Sequence, residues 1–90
     1  MDLSDADFVR QQVSAVIIKW DPMGFVPKGK AKGYDPVINE IITSLGPKTD
    51  RDMLARNIGS ICRKWFGPTA FEKEFEECVP VARKIIKHLS

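Results

Sequence analysis

Side chains able to do chemistry are few in this chain: its 90 residues include one histidine, His88, and two cysteines, Cys62 and Cys78. These three cannot supply the ligand set of a structural zinc site. A cysteine nucleophile needs a base within hydrogen-bond reach, and both cysteines fall among apolar neighbours on helical patterns, where cysteine acts as a small hydrophobe. His88 stands in a last helical turn, where the helix dipole alone favours it. We therefore predict no catalytic residues, no metal, no cofactor and no enzymatic activity.

Length and composition predict one soluble domain spanning residues 1–90, with 43% apolar and 29% charged side chains. No run approaches the ~18 uninterrupted apolar residues of a membrane span. Residues 1–5 include two aspartates, whereas a signal peptide opens with basic residues. The expected location is therefore the cytoplasm, where Cys62 and Cys78 would be reduced thiols, although a disulfide between them stays open.

A basic segment bears three lysines, Lys28, Lys30 and Lys32, interleaved with glycines. A glycine-rich segment with lysines can cradle phosphate, but this one lacks the P-loop spacing and follows no strand pattern. Its charges allow about three or four phosphate contacts with nucleic acid at most. Three interpretations stay open for these lysines: a solvated loop, a contact to a protein partner, or a contact to nucleic acid.

An acidic segment stands at the start of the last helical pattern, with glutamates at positions 72, 74, 76 and 77. The positive end of a helix dipole favours acids there and accounts well for Glu72 and Glu74, but less well for Glu76 and Glu77. Glu72 and Glu76 would also repel each other at i and i+4. A negative patch beside aromatic residues suits a basic protein partner, so the segment predicts either a helix start or an interface. The net charge of +2 is then an average over two opposite surfaces.

Four helical patterns must position these segments. The first begins after an N-cap at Ser4, runs for about 16 residues and stops at Pro22. Residues 21–24 there have the composition of a type I turn. Residues 21–35 show no periodicity and predict a mobile loop, held at its two ends by Phe25, Val26 and Tyr34.

The second and third helices have strong start and stop signals. Asp35 as N-cap and Pro36 as first helical residue start the second helix, which is about ten residues long. Thr49 caps the third helix, and a Gly-Pro pair closes each of the two. Gly59 lies inside the third helix at a cost of ~1 kcal/mol, which predicts that another helix crosses closely there.

A fourth helical pattern runs to the end of the chain. Thr69 as N-cap with Glu72 three residues on fits a capping box. Apolar residues continue at helical spacing from Phe71 to Leu89 through Pro80, which predicts a kink or a break at the proline. With no strand pattern present, the predicted fold class is all-α: a four-helix compact domain, antiparallel or an irregular array, with the last helix kinked or broken at Pro80.

Three turn motifs stand out: Trp20-Asp21-Pro22 ends the first helix, Tyr34-Asp35-Pro36 opens the second, and Lys64-Trp65-Phe66-Gly67 ends the third. With these motifs, and over nearly its whole length, the chain resembles the YugE-like family of small, largely uncharacterised bacterial proteins. The resemblance implies a cytoplasmic all-α domain without known enzymatic activity, and it supplies no catalytic residues. The chain departs from the family in its lysine-rich insert and in Pro80. We expect the turns to converge into one structural group, with four aromatic side chains packing together: Trp20, Tyr34, Trp65 and Phe66.

Two charged surfaces on a small domain without a catalytic set favour a protein-binding module. Its most concrete form, by analogy of fold, is a bacterial immunity protein that neutralises a cognate toxin, such as a contact-dependent growth inhibition nuclease, by covering its active site. The predicted partner-binding residues are Glu72, Glu76, Glu77, Lys28, Lys30 and Lys32. The alternatives are a small regulatory nucleic-acid binder using the basic segment, and a non-enzymatic structural homo-oligomer. No membrane partner is expected.

Overall fold

Four α-helices and two short 3₁₀ helices make up the chain in the computed structural model, which describes all 90 residues. The α-helices are α1 (Ala6–Trp20), α2 (Asp35–Ser44), α3 (Arg51–Phe66) and α4 (Phe75–His88). The 3₁₀ helices, Val26–Lys28 and Ala31–Tyr34, lie between α1 and α2. No strand is present, so the predicted all-α, four-helix fold is confirmed.

The four helices share one apolar core of 18 buried residues, drawn from every helix. α3 packs most extensively against α4, while α1 packs against both α2 and α4. The Asp2 N–H donates to the Leu89 carbonyl at 2.9 Å, and at the other end Trp20 packs on Phe71. Because the start of α1 therefore lies beside the end of α4, these two helices run antiparallel.

The N-caps of α1 and α3 each lie one residue later than predicted. Asp5, not Ser4, caps α1, and its carboxylate accepts a hydrogen bond from the Phe8 N–H. The Ser4 hydroxyl instead donates to the Asp2 carboxylate at 2.7 Å. Both serine and aspartate are good caps, so local preference could not separate the two neighbours.

The same displacement occurs at α3. Asp50 is the N-cap, and its carboxylate accepts from the Met53 N–H at 2.8 Å. Thr49, the predicted cap, accepts from the Gly46 N–H at 2.8 Å and so closes the preceding turn. The threonine is therefore used by the connection from α2 rather than by the helix.

The segment between α1 and α2 is more regular than predicted. Its two 3₁₀ helices are separated by Gly29 and Lys30, and the second runs directly into α2. Asp35 is consequently the first residue of α2, with helical dihedral angles, and not its N-cap; Pro36 follows in the first turn. The expectation of an aperiodic loop is wrong in this respect, because single 3₁₀ turns are too short to leave a periodic apolar pattern.

The start of α4 also differs from the prediction. The Thr69–Glu72 capping box does not form, and α4 begins only at Phe75. Phe71, assigned to the helical stripe from its spacing, lies before the helix and is buried with its ring edge-to-face on Trp20 at 6.0 Å. Burial of the Phe71 ring in the core thus overrides the local cap signal.

Pro80 does not break α4, which runs without interruption through it from Phe75 to His88. Proline has no N–H to donate to the Glu76 carbonyl one turn earlier. Pro80 and Glu76 are both exposed, so water can donate to that carbonyl instead.

The surroundings of Gly59 in α3 also differ from the prediction of a closely crossing helix. A Cβ there would meet the Arg63 guanidinium at 3.2 Å, one turn along the same helix, and not a crossing helix.

Candidate functional site

A hydrogen-bond network around Tyr34 joins the end of α1 to the start of α2. Tyr34 is completely buried, and its hydroxyl donates to the Asp21 carboxylate at 2.5 Å. The same hydroxyl oxygen accepts from the Met23 N–H at 2.9 Å. Asp21 also accepts from the backbone N–H groups of Phe25, at 2.8 Å, and Val26, at 3.3 Å. One carboxylate thus organises the chain between α1 and the first 3₁₀ helix.

Both ionisable members of this network have shifted pKa values. The hydrogen bond from Tyr34 lowers the pKa of Asp21. Burial, followed by the hydrogen bond to Asp21, raises the pKa of Tyr34 to about 12. Asp21 has a left-handed backbone with φ of 45°, and its N–H bonds the Ile17 carbonyl, so it closes α1. Pro22 follows in a turn closed by the Gly24 N–H and the Asp21 carbonyl at 3.1 Å.

The expected convergence of four aromatic side chains is only partly found. Tyr34 and Phe66 do meet, with ring centroids 6.0 Å apart. The third ring of their cluster is Phe25, at 4.9 Å from Tyr34 and 5.6 Å from Phe66. Trp20 is not part of this cluster of three rings and packs against Phe71 instead. Trp65 is 48% exposed and donates its indole N–H to Glu40, because its neighbour Phe66 takes the inward-facing position.

Gly33, in the basic segment, packs closely against the ring of Phe25. A Cβ on Gly33 would lie 2.9 Å from the ring of Phe25, closer than real contacts allow. The backbone is also bonded, since the Phe25 carbonyl accepts from the N–H groups of Lys28 and Lys30 at 3.1 and 2.9 Å. Lys28, Lys30 and Lys32 are all exposed and none forms an ion pair. Three free ammonium groups therefore stand on a turn that is anchored to the aromatic cluster.

The structure changes the account of the acidic segment. Glu74 is the N-cap of α4, and Glu77 completes the capping box by accepting from the Glu74 N–H at 2.9 Å. Glu76 and Glu77 lie in the first turn, where the helix dipole favours them. Glu72 lies before the helix, so the expected i, i+4 repulsion with Glu76 along one helix does not exist. The dipole thus explains Glu76 and Glu77 best and Glu72 least, the reverse of the prediction.

Phe75 is the feature of this acidic segment that capping does not explain. Its ring is 40% exposed, and the glutamates that flank it in the sequence, at positions 72, 74, 76 and 77, are exposed as well. The Arg56 guanidinium of α3 lies 5.9 Å from the ring centroid. A large aromatic side chain is thus held at the surface beside a cation, within a segment of the chain that carries four exposed carboxylates. We call Phe75 and these four glutamates the acidic face.

A groove of about 730 Å³ between α1 and α4 was not found from the sequence. Ala15, Val16 and Trp20 of α1 line one side and Val81 of α4 the other. The charged and polar residues that line it are Lys19, Glu77, Lys84, Lys87 and His88. The spacing of Lys84, Lys87 and His88 places them on one side of a helix, and that was the available signal. α1 packs against this side of α4, and local sequence patterns do not specify which helix packs there.

The two cysteines lie close enough in the core for Cys78 to contribute, after burial, to the raised pKa of Cys62. Cys62 and Cys78 are buried free thiols, and burial raises the pKa of both, that of Cys62 to about 12. His88 lies at the rim of the groove. No three His, Cys, Asp or Glu side chains come close enough together to hold a metal ion. None of the helices has the length and apolar character needed to cross a membrane.

Comparison with family models, with curated proteins and with solved structures finds no match to this chain in any of the three. The similarity to the YugE-like family therefore stays a prediction that rests on the turn motifs. Two surfaces remain as candidate sites: the acidic face and the groove between α1 and α4.

Proposed function

We propose that the protein is a protein-binding module that recognises a basic surface of its partner through the acidic face. The observation that carries this proposal is the exposure of the Phe75 ring, 40% of its surface, in a segment that also carries four exposed glutamates. Exposed aromatic side chains are the usual anchors of protein interfaces, and surrounding charge of one sign steers the encounter.

The carboxylates differ in how free they are to bind. Glu77 is engaged in the capping box. Glu72 and Glu76 form no ion pair, because the two ion pairs of the structure join Arg51 to Asp52 and Lys64 to Glu40. Glu72 and Glu76 are therefore the groups expected to meet cations of the partner.

The concrete form of the proposal is an immunity protein that neutralises a toxin by covering its active site. A nuclease toxin must hold anionic nucleic acid, so its active-site cleft is basic, and a surface of carboxylates around an aromatic anchor complements it. The exposed lysines at positions 28, 30 and 32 would form a second contact with the same partner.

The test first asks whether a gene beside that of this protein encodes a toxin domain, and with that domain as the partner it then measures cell survival and the association rate. Glu76→Lys should slow association about tenfold at low salt, and the difference should vanish near 1 M salt, where the Debye length is about 3 Å. Phe75→Ala should raise the dissociation rate instead.

Matched controls lie on α1. Asp7→Lys makes the same charge change in the first turn of another helix, and Phe8→Ala removes an aromatic ring that is 43% exposed. Both controls should bind and protect normally. The proposal is refuted if the two surfaces respond equally or if no partner binds. Salt-dependent binding of duplex DNA, lost when Lys28, Lys30 and Lys32 are changed to alanine, would favour the nucleic-acid alternative instead.

A further inference from the structure

The groove between α1 and α4 has an apolar floor. Val16 and Val81 are both buried and face each other across it, and Ala15 and the half-buried Trp20 extend the apolar surface along α1. Its volume of about 730 Å³ lies within the range of roughly 300–1,000 Å³ that ligand sites occupy. Above this buried floor, Ala15 and Pro80 are exposed and Trp20 is half-buried, so these are the apolar side chains of the groove that remain open to a partner.

The groove is long and follows α4. Its lining residues on α4 run from Glu77 to His88 along one side of the helix. At about 1.5 Å per residue this stretch measures about 16 Å, or roughly three helical turns. A site of this length suits an extended element better than a compact small molecule. Helices that dock in such grooves bury apolar anchors at i, i+3 or i+4, and i+7.

The rim of the groove is cationic and unneutralised. Lys19 comes from α1, and Lys84 and Lys87 from α4. All three are exposed, and none belongs to either ion pair of the structure. Glu77 is the one acidic side chain in the lining, and its carboxylate already accepts the capping hydrogen bond. These three free cations lie on both sides of the apolar floor, so a ligand that complements the groove carries negative charge.

We propose that this groove binds an acidic amphipathic helix of a partner protein. The apolar stripe of such a helix would cover Ala15, Trp20 and Pro80 above the buried valines, and carboxylates on its flanks would reach the lysines on both rims. Charge complementarity selects this occupant, because a basic helix would face three like charges. The inference goes beyond the proposed function. Glu77 belongs to both surfaces, but its carboxylate is engaged in the capping box, and the variants that test the acidic face, at Phe75 and Glu76, lie outside the groove lining, so either proposal can fail without the other.

Fluorescence of Trp20 gives a direct test, because the chain has two tryptophans and Trp65→Phe leaves Trp20 alone. The probe is a synthetic peptide of about 16 residues with leucines at i, i+3, i+4 and i+7 and glutamates on both flanks. Burial of the indole by the peptide should shift Trp20 emission to shorter wavelength. A peptide with the same leucines and lysine flanks should cause no shift.

The decisive variant is the double substitution Lys84→Glu and Lys87→Glu, which should weaken binding of the acidic peptide about tenfold. Arg10→Glu with Lys48→Glu is the matched control, since both side chains are exposed outside the groove lining and the net charge changes equally, and it should leave affinity within about twofold. Far-ultraviolet circular dichroism should show both double variants to be folded.

Four results would overturn the proposal. They are no emission shift with the acidic peptide at millimolar concentration, equal binding of the basic peptide, and equal weakening by the control variant. The fourth is a dimer in sedimentation that buries Trp20 without any peptide, because it would assign the groove to a second copy of this chain.

Discussion

The hydroxyl of Tyr34 offers the sharpest test of how the turn after α1 is held. Tyr34→Phe removes the donor to the Asp21 carboxylate and the acceptor for the Met23 N–H, and changes no other atom. The ring keeps its contacts with Phe25 and Phe66. The substitution therefore isolates the hydroxyl from the packing of the aromatic cluster.

The expected loss follows from the two hydrogen bonds. A hydrogen bond to a charged group contributes about 1.5–3 kcal/mol. Asp21 keeps the Phe25 and Val26 N–H donors, so its carboxylate is not left alone. The Met23 N–H lies in half-buried surroundings, where water replaces the lost acceptor in part. We expect the free energy of unfolding to fall by about 2 kcal/mol, and the melting temperature by roughly 8–16 °C.

Urea unfolding followed by circular dichroism measures this loss. With an m-value of about 1 kcal/mol/M, typical of a small domain, the midpoint should fall by roughly 2 M. Trp65→Phe is the control, because its indole N–H bonds Glu40 at the exposed surface and should contribute less than about 1 kcal/mol. A loss below about 0.5 kcal/mol for Tyr34→Phe, or equal losses for the two variants, would refute the reasoning.

The same comparison has a pH dependence of known sign. Burial and Asp21 raise the pKa of Tyr34 from 10.0 to about 12 on folding. Between these values the unfolded chain loses the phenol proton while the folded chain keeps it, so stability falls as pH rises. The advantage of the wild type over Tyr34→Phe should be complete below pH 10 and shrink steadily towards pH 12. A constant difference across this window, measured by urea unfolding, would contradict the assigned pKa.

Two further predictions concern close packing and the thiols. Gly33→Ala should destabilise the protein by about 1–3 kcal/mol in urea unfolding, because its Cβ would meet the Phe25 ring at 2.9 Å. Gly46→Ala, whose nearest atom would be 3.7 Å away, is the control and should be close to neutral; equal effects would refute the close approach. Cys62 and Cys78 should resist iodoacetamide at neutral pH in the folded protein and react in urea, as measured by mass spectrometry. Rapid labelling without urea would contradict their burial.

The helices themselves were readable from the sequence because their signals are local. Apolar spacing defined the buried side of each helix, and the Gly-Pro pairs after α2 and α3 marked their ends. Helix starts were less readable. Ser4 and Asp5, like Thr49 and Asp50, are adjacent residues that can both cap, and the path of the preceding chain chooses between them.

The start of α4 shows why a good local signal can fail. Thr69 and Glu72 have the spacing of a capping box, yet Phe71 between them is drawn into the core against Trp20. Burying an aromatic side chain contributes about 1.5–3 kcal/mol, whereas a cap contributes about 1 kcal/mol. Because burial of the ring stabilises the fold more than the cap would, the helix begins at the next available capping box, formed by Glu74 and Glu77.

The all-α class, the placement of the helices and the opposite charges of the two exposed segments follow from the amino-acid sequence alone, since each depends on residues close together in the chain. Which surfaces those charges form depends on how the helices pack. The groove combines Lys19 and Trp20 with Lys84 and Lys87, residues from opposite ends of the chain that meet because α1 packs antiparallel to α4. Burial of apolar surface selects such helix pairs without regard to sequence separation, so their shared surfaces exist only in the folded protein.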